Sequence, residues 1–258
     1  AKKLRISQMV IGLTVVAYGT STPELAASVA ASLGSHTDLI LGNIVGSNIS
    51  NVGMVIGISA IISPLVVSKA TTRKEVPIMI GVMLLLVAMS IDGEISQYDG
   101  VLLIAGLIAF TVYTVSRAKK ERKQEEEDTS AQKSSVPRAA GLIAIGSGLL
   151  YLGGYLTIEN VVSIAQGIGV SETVVGITIV AIGTSLPELV TSITAIKKGH
   201  TDIGIGNIVG SNIYNILMIM GVASVITGIA VVPEIFNDYI IMIGFAVVLI
   251  AFLRSGII

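Results

Sequence analysis

The sequence predicts an all-α integral membrane protein built from two inverted-topology repeats of transmembrane helices. Three observations carry this expectation. The 258 residues are 52% hydrophobic and only 13% charged, with a mean hydropathy of +0.86, outside the usual range of soluble domains. The chain divides into apolar stretches long enough to cross a bilayer. It also spells GNIVGSNI twice, at 42–49 and again at 206–213.

A helix needs about 20 mostly apolar residues to cross the hydrocarbon core. That criterion gives eight spans: 8–32, 38–67, 75–92, 99–117, 139–157, 172–196, 201–231 and 238–254. Threaded back and forth, they place all sixteen Lys and Arg on one side, from Lys2, Lys3 and Arg5, through Lys69, Arg73, Lys74 and the stretch 117–138, to Lys197, Lys198 and Arg254. The opposite connections, 33–37, 92–98, 158–171 and 232–237, carry Asp92, Glu94, Glu159 and Glu234 and no basic residue. The positive-inside rule puts the basic side in the cytoplasm of a multi-pass protein of the cell membrane. The chain begins on Ala and has no cleavable signal before its first apolar stretch, which reads as a fragment of a longer chain. With no cysteine, disulfides, thiolate metal sites and cysteine nucleophiles are excluded.

The repeat extends well beyond the octapeptide. GTSTPEL at 19–25 returns as GTSLPEL at 183–189, and HTD at 36–38 returns at 200–202, always 164 positions on. Residues 11–64 and 175–228 align without a gap and agree at about half their positions, an internal duplication too long for a solenoid. The two copies lie five spans apart, an odd number, so equivalent helices run in opposite directions. Such a pair is expected to share a pseudo-two-fold axis in the membrane plane that brings both signatures to mid-bilayer, as in transporters. The chain therefore divides into a first half at 1–117 with its signature at 19–51, a cytoplasmic linker at 118–138, and a second half at 139–258 with its signature at 183–215. The EEED run of the linker reads as a solvated segment or frayed helix end.

Each signature carries chemistry that a lipid-facing helix would not. Glu24 and Glu188 sit inside apolar spans, where a carboxylate costs several kcal/mol unless it is paired, protonated or metal-bound. Pro23 and Pro187 precede them and release the carbonyls of Gly19 and Gly183, and those of Thr20 and Thr184, from helical hydrogen bonding. Thr20, Ser21, Thr184 and Ser185 add hydroxyls at the same bends. A plain kink, with the hydroxyls restoring the lost bonds, leaves both glutamates unexplained. In the octapeptide helices, Asn43, Ser47 and Asn51 form one stripe at i, i+4 and i+8, repeated by Asn207, Ser211 and Asn215. Gly42 with Gly46, and Gly206 with Gly210, are G-x-x-x-G pairs that let helices approach closely, and buried amides also join membrane helices. All these donors are hard oxygens, the set preferred by Ca²⁺, whereas zinc or copper would call for His or Cys. His36 and His200 read as turn residues, with Thr37 or Asp38, and Thr201 or Asp202, as the helix caps.

Given twice in inverted halves, G-T-S-x-P-E followed by G-N-I-V-G-S-N resembles the alpha-repeats of the calcium/cation antiporter superfamily. It is closest to the prokaryotic sodium/calcium exchanger-like members, with proton/calcium exchangers as the neighbouring group. The resemblance covers nearly the whole chain and implies ten helices, five per half, so that the first helix of one half and the last of the other are missing here. It implies Glu24 and Glu188 as the main Ca²⁺ ligands, Thr20 and Thr184 as carbonyl donors, and Ser21, Ser47, Asn51, Ser185, Ser211 and Asn215 as neighbouring site residues. Some relatives carry Asp where Asn215 stands. The chain also lacks the further acidic residue of dedicated proton exchangers, which favours Na⁺ over H⁺ as counter-ion.

The expected function is a secondary-active antiporter exchanging Ca²⁺ for Na⁺ or H⁺ by alternating access. A cation channel and an exchanger for another divalent cation are the alternatives, and an enzyme using the two carboxylates as acid and base is disfavoured by the inverted repeat. No prosthetic group, nucleic acid or protein partner is expected; the partners are the bilayer and the transported ions.

Overall fold

The computed structural model describes residues 7–65, 67, 71–123 and 169–255, with isolated positions between 156 and 167. All of the predicted span at 139–157 except Leu156, and most of the linker, lie outside the described residues. The helices, in chain order, are α1 (Gln8–Thr20), α2 (Thr22–Leu33), α3 (Thr37–Ile62), α4 (Val76–Met89), α5 (Gln97–Lys123), α6 (172–184), α7 (Leu186–Lys197), α8 (Thr201–Thr227) and α9 (Ile235–Ser255). Among the described residues, five helical stretches are long and apolar enough to span a membrane: 37–62, 97–117, 173–197, 201–227 and 235–254.

The spans expected at 8–32 and 172–196 are each two helices meeting at a serine. Ser21 has φ −81° and ψ 5°, Ser185 has φ −83° and ψ 0°, and a proline follows two residues later in the first turn of the next helix. Proline has no N–H for the carbonyl four residues back, so Gly19 and Gly183 lose their helical donors and the chain turns there. The helix expected to end at 117 continues to Lys123. The cap assignment needs correction: the N-cap positions are His36 and His200, neither of which caps through its side chain, and Thr37 and Thr201 are the first helical residues. These turns close instead through backbone bonds, such as His36 N–H to Ala31 O and His200 N–H to Ala195 O, both 2.9 Å.

The duplication reaches into local geometry. Four of the five π-helical stretches among the described residues fall in two pairs, Gly12–Val16 with Gly176–Val180 and Asn51–Ile56 with Asn215–Met220, each pair 164 residues apart. The packing is reciprocal as well. α3 lies on α6 of the other half, and α8 lies on α1; α9 packs on α3, and α4 packs on α8. Reciprocal contacts of this kind define a two-fold relation between the halves.

The glycine pairs make the crossings close. A Cβ at Gly46 would stand 2.5 Å from Ile177 O and 2.8 Å from Ala181 Cβ, and one at Gly210 would stand 2.9 Å from Leu13 O and 2.7 Å from Ala17 Cβ. Only a residue without a side chain allows these backbones to meet. α8 is the central helix, with 89% of its apolar window buried, while 22% of the α5 window is buried and its Val101, Leu102, Ile108 and Val112 face outward as lipid-facing side chains do. A two-residue antiparallel pairing, β1 (Glu94–Ile95) with β2 (Ile229–Ala230), joins a connection of each half.

Candidate functional site

Glu24 and Glu188 each fall in the first turn of a helix, α2 and α7, immediately after the serine break, and both are buried. The break is what carries them into the interior. Glu188 Oε1 accepts from Ser21 Oγ of the opposite half and from Ser211 Oγ, both at 3.2 Å. Glu188 Oε2 and both oxygens of Glu24 are buried with no hydrogen-bond partner. The ion pair of Arg117 with Glu75 lies elsewhere, between α5 and the π-helical turn Thr71–Glu75 that leads into α4. Three carboxylate oxygens are thus withdrawn from water and left open, an arrangement that a cation seated between them would compensate.

The surrounding oxygens come from both halves by equivalent bonds. Thr20 Oγ1 donates to Asn207 Oδ1 at 3.0 Å, and Thr184 Oγ1 donates to Asn43 Oδ1 at 3.2 Å. Behind them, Asn43 Nδ2 donates to Ser28 Oγ at 3.2 Å and Asn207 Nδ2 to Ser192 Oγ at 3.0 Å. Each asparagine therefore holds the threonine of the other half's break and is itself held by a serine of its own half. Ser47 Oγ lies 3.5 Å from Asn43 Oδ1, its donor direction toward that oxygen, and Thr20 Oγ1 lies 3.4 Å from Ser211 Oγ.

Eight of the sequence-predicted residues fall in two hydrogen-bonded sets: Glu188 with Ser21, Ser211, Thr20 and Asn207, and Asn43 with Thr184 and Ser47. Ser185 Oγ, both polar atoms of Asn51 and Asn215 Oδ1 are buried and unpartnered, so they remain as open donors beside those of Glu24. Sequence reasoning missed Ser28 and Ser192, and also Asn48 and Asn212. All four recur at the same 164-residue offset, and that was the signal available. Among the described residues no three His, Cys, Asp or Glu side chains gather as a metal cluster. The two carboxylates lie amid amides and hydroxyls, and such oxygens are the ligand type that hard cations take.

The chain as a whole has counterparts among known proteins. The chain matches the model of the family described as sodium/calcium exchanger protein over residues 1–116 and 138–257. It is 35% identical to inner membrane protein YrbG of Escherichia coli, over 92% of this chain and 76% of the relative. It is 30% identical to sodium/calcium exchanger MaX1 of Methanosarcina acetivorans, over 99% of this chain and 84% of the relative. Among solved structures, the sodium-calcium exchanger NCX_Mj superposes with a TM-score of 0.72 at 31% identity, covering 98% of this chain and 82% of that one. Matched along nearly its full length in sequence and in fold, the chain belongs to the sodium/calcium exchanger family.

Proposed function

We propose that the protein is a secondary-active antiporter that exchanges Ca²⁺ for Na⁺ or H⁺ across the cell membrane by alternating access. The observation that carries this reading is the buried carboxylate pair, one from each half, with three oxygens left without partners. Two negative charges match one Ca²⁺, and the adjoining hydroxyls, amides and carbonyls can complete the roughly six to eight oxygens that Ca²⁺ takes. With Ca²⁺ gone, the same charges require Na⁺ ions or protons, which couples the two fluxes. The ions are cargo, and the reading calls for no resident cofactor. The names of MaX1 and NCX_Mj, both sodium/calcium exchangers, support the same choice of ions.

Glu24 and Glu188 are the principal ligands in this reading. Thr20 and Thr184 contribute carbonyls, and Ser21, Ser185, Ser47, Ser211, Asn51 and Asn215 supply nearby oxygens, with Asn43 and Asn207 placing the two threonines. The basic connections, including the linker 118–138, face the cytoplasm.

The test is ⁴⁵Ca²⁺ uptake by the protein in proteoliposomes, with an outward Na⁺ gradient in one arm and an acidic interior without Na⁺ in the other. Uptake driven by Na⁺ is expected. Glu24→Gln or Glu188→Gln is expected to reduce it about a hundredfold or more, because a cation is left facing half of its counter-charge. Full activity in either variant would overturn the ligand assignment. Ca²⁺ flux that proceeds without any counter-ion would instead identify a channel.

A further inference from the structure

Two asparagines of the repeated octapeptide lie outside the donor set above. Asn48 and Asn212, each one residue beyond the site serines Ser47 and Ser211, are fully buried. Asn48 Nδ2 donates to Met242 Sδ on α9 at 3.7 Å, and Asn212 Nδ2 donates to Met79 Sδ on α4 at 3.5 Å. Each asparagine thereby reaches a methionine of the opposite half. Asn215 Nδ2 then donates to Asn48 Oδ1 at 3.2 Å, and Asn215 Oδ1 is left buried without a partner.

The direction of this chain follows from its sulfur end. A thioether has no proton to give and can only accept. It therefore draws the N–H end of the Asn48 amide, which leaves the Asn48 oxygen for Asn215. Asn215 in turn must use its N–H there and keep its own oxygen open. One methionine thus sets the polarity of two amides, the second of which begins a π-helical stretch one turn beyond Ser211. An aspartate at 215 would have no N–H for Asn48, so this relay requires the asparagine that the chain carries.

The mirror set is not closed. Asn51 and Asn212 are the counterparts of Asn215 and Asn48, yet Asn212 Oδ1 and both polar atoms of Asn51 have no hydrogen-bond partner. Equivalent sequences held in unlike states are what inverted repeats produce, and interchanging those states between halves turns such a carrier to its other face.

On the exchanger reading above, we propose that Asn48 and Asn212 are positioning residues, each aiming the open amide oxygen of the opposite half's Asn215 or Asn51. The two cross-half bonds close in alternation as the site faces first one side of the membrane and then the other. A purely structural asparagine would serve both faces equally. An alternating pair acts on one face each.

The test compares Ca²⁺ saturation of exchange in right-side-out and inverted membrane vesicles containing the full chain. Asn48→Leu is expected to raise the half-saturating Ca²⁺ concentration about five- to tenfold on one face, the equivalent of a lost net hydrogen bond. Asn212→Leu should do so on the opposite face, and neither should lower the maximal rate by a similar factor. Met242→Leu and Met79→Leu conserve volume and should reproduce the same face preference at smaller amplitude; they decide the matter if the leucine variants at 48 and 212 fail to insert. Equal shifts on both faces, or none, in protein that inserts normally would overturn the proposal while wild-type exchange stands. Wild-type vesicles without coupled Ca²⁺ flux would overturn the exchanger reading itself, and this inference with it.

Discussion

Glu24 and Glu188 occupy equivalent positions but are held differently. Glu188 Oε1 receives two hydroxyl hydrogens, from Ser21 and Ser211, whereas both oxygens of Glu24 stand open. The two serines fix one carboxylate in place. Ser21→Ala and Ser211→Ala each remove one bond to a charged acceptor, and each is expected to raise the half-saturating Ca²⁺ concentration about tenfold in uptake assays, with little change in the amount of folded protein. The equivalent change Ser185→Ala, whose hydroxyl is unpartnered, should have a smaller effect in the same assay. At this scale the sequence was informative about residue type and silent about pairing. Carboxylates in an apolar span betray themselves by their cost. That Thr20 bonds Asn207 rather than Asn43 of its own half depends on how two distant helices cross, which no local spacing records.

Helix breaks and close crossings are the elements that assemble the site. The bends at Ser21 and Ser185 were legible because proline removes a specific donor, and the G-x-x-x-G pairs were legible because only small residues permit backbone contact. The π-helical stretches were not. They use no residue type of their own, and Asn51–Ile56 and Asn215–Met220 read in sequence like any apolar helix. The β1–β2 pairing is two residues long and leaves no alternation to detect. The crossings give a sharp test. Gly46→Ala and Gly210→Ala place a methyl within 3 Å of the partner backbone and of an alanine, and are expected to destabilise the protein by about 1–3 kcal/mol, read as a lowered Tm in detergent. Gly57→Ala, on the same helix with nothing within 4 Å of the added carbon, should leave the Tm unchanged. Equal behaviour of the three variants would show that the crossings are looser than these distances.

For the whole molecule, the decisive property is that the two halves run oppositely through the membrane. An odd shift of five spans and the one-sided distribution of Lys and Arg predict it, and the reciprocal packing of α1 on α8 and α6 on α3 agrees with a two-fold relation. Leu33 and Lys197 provide a direct test, because they are exact counterparts at the ends of α2 and α7, and both are exposed. The chain has no cysteine, so a single introduced thiol can be followed without background. Leu33→Cys should react with a membrane-impermeant maleimide on intact cells, since 33–37 belongs to the side without basic residues. Lys197→Cys should react only after permeabilisation, since the positive-inside rule assigns the basic side to the cytoplasm. Opposite accessibility of equivalent residues is required if one site is to be built from two copies of one signature and then opened to each face in turn. Labelling of both from the same side would make the halves parallel, and the alternation argued for Asn48 and Asn212 would lose its symmetry basis.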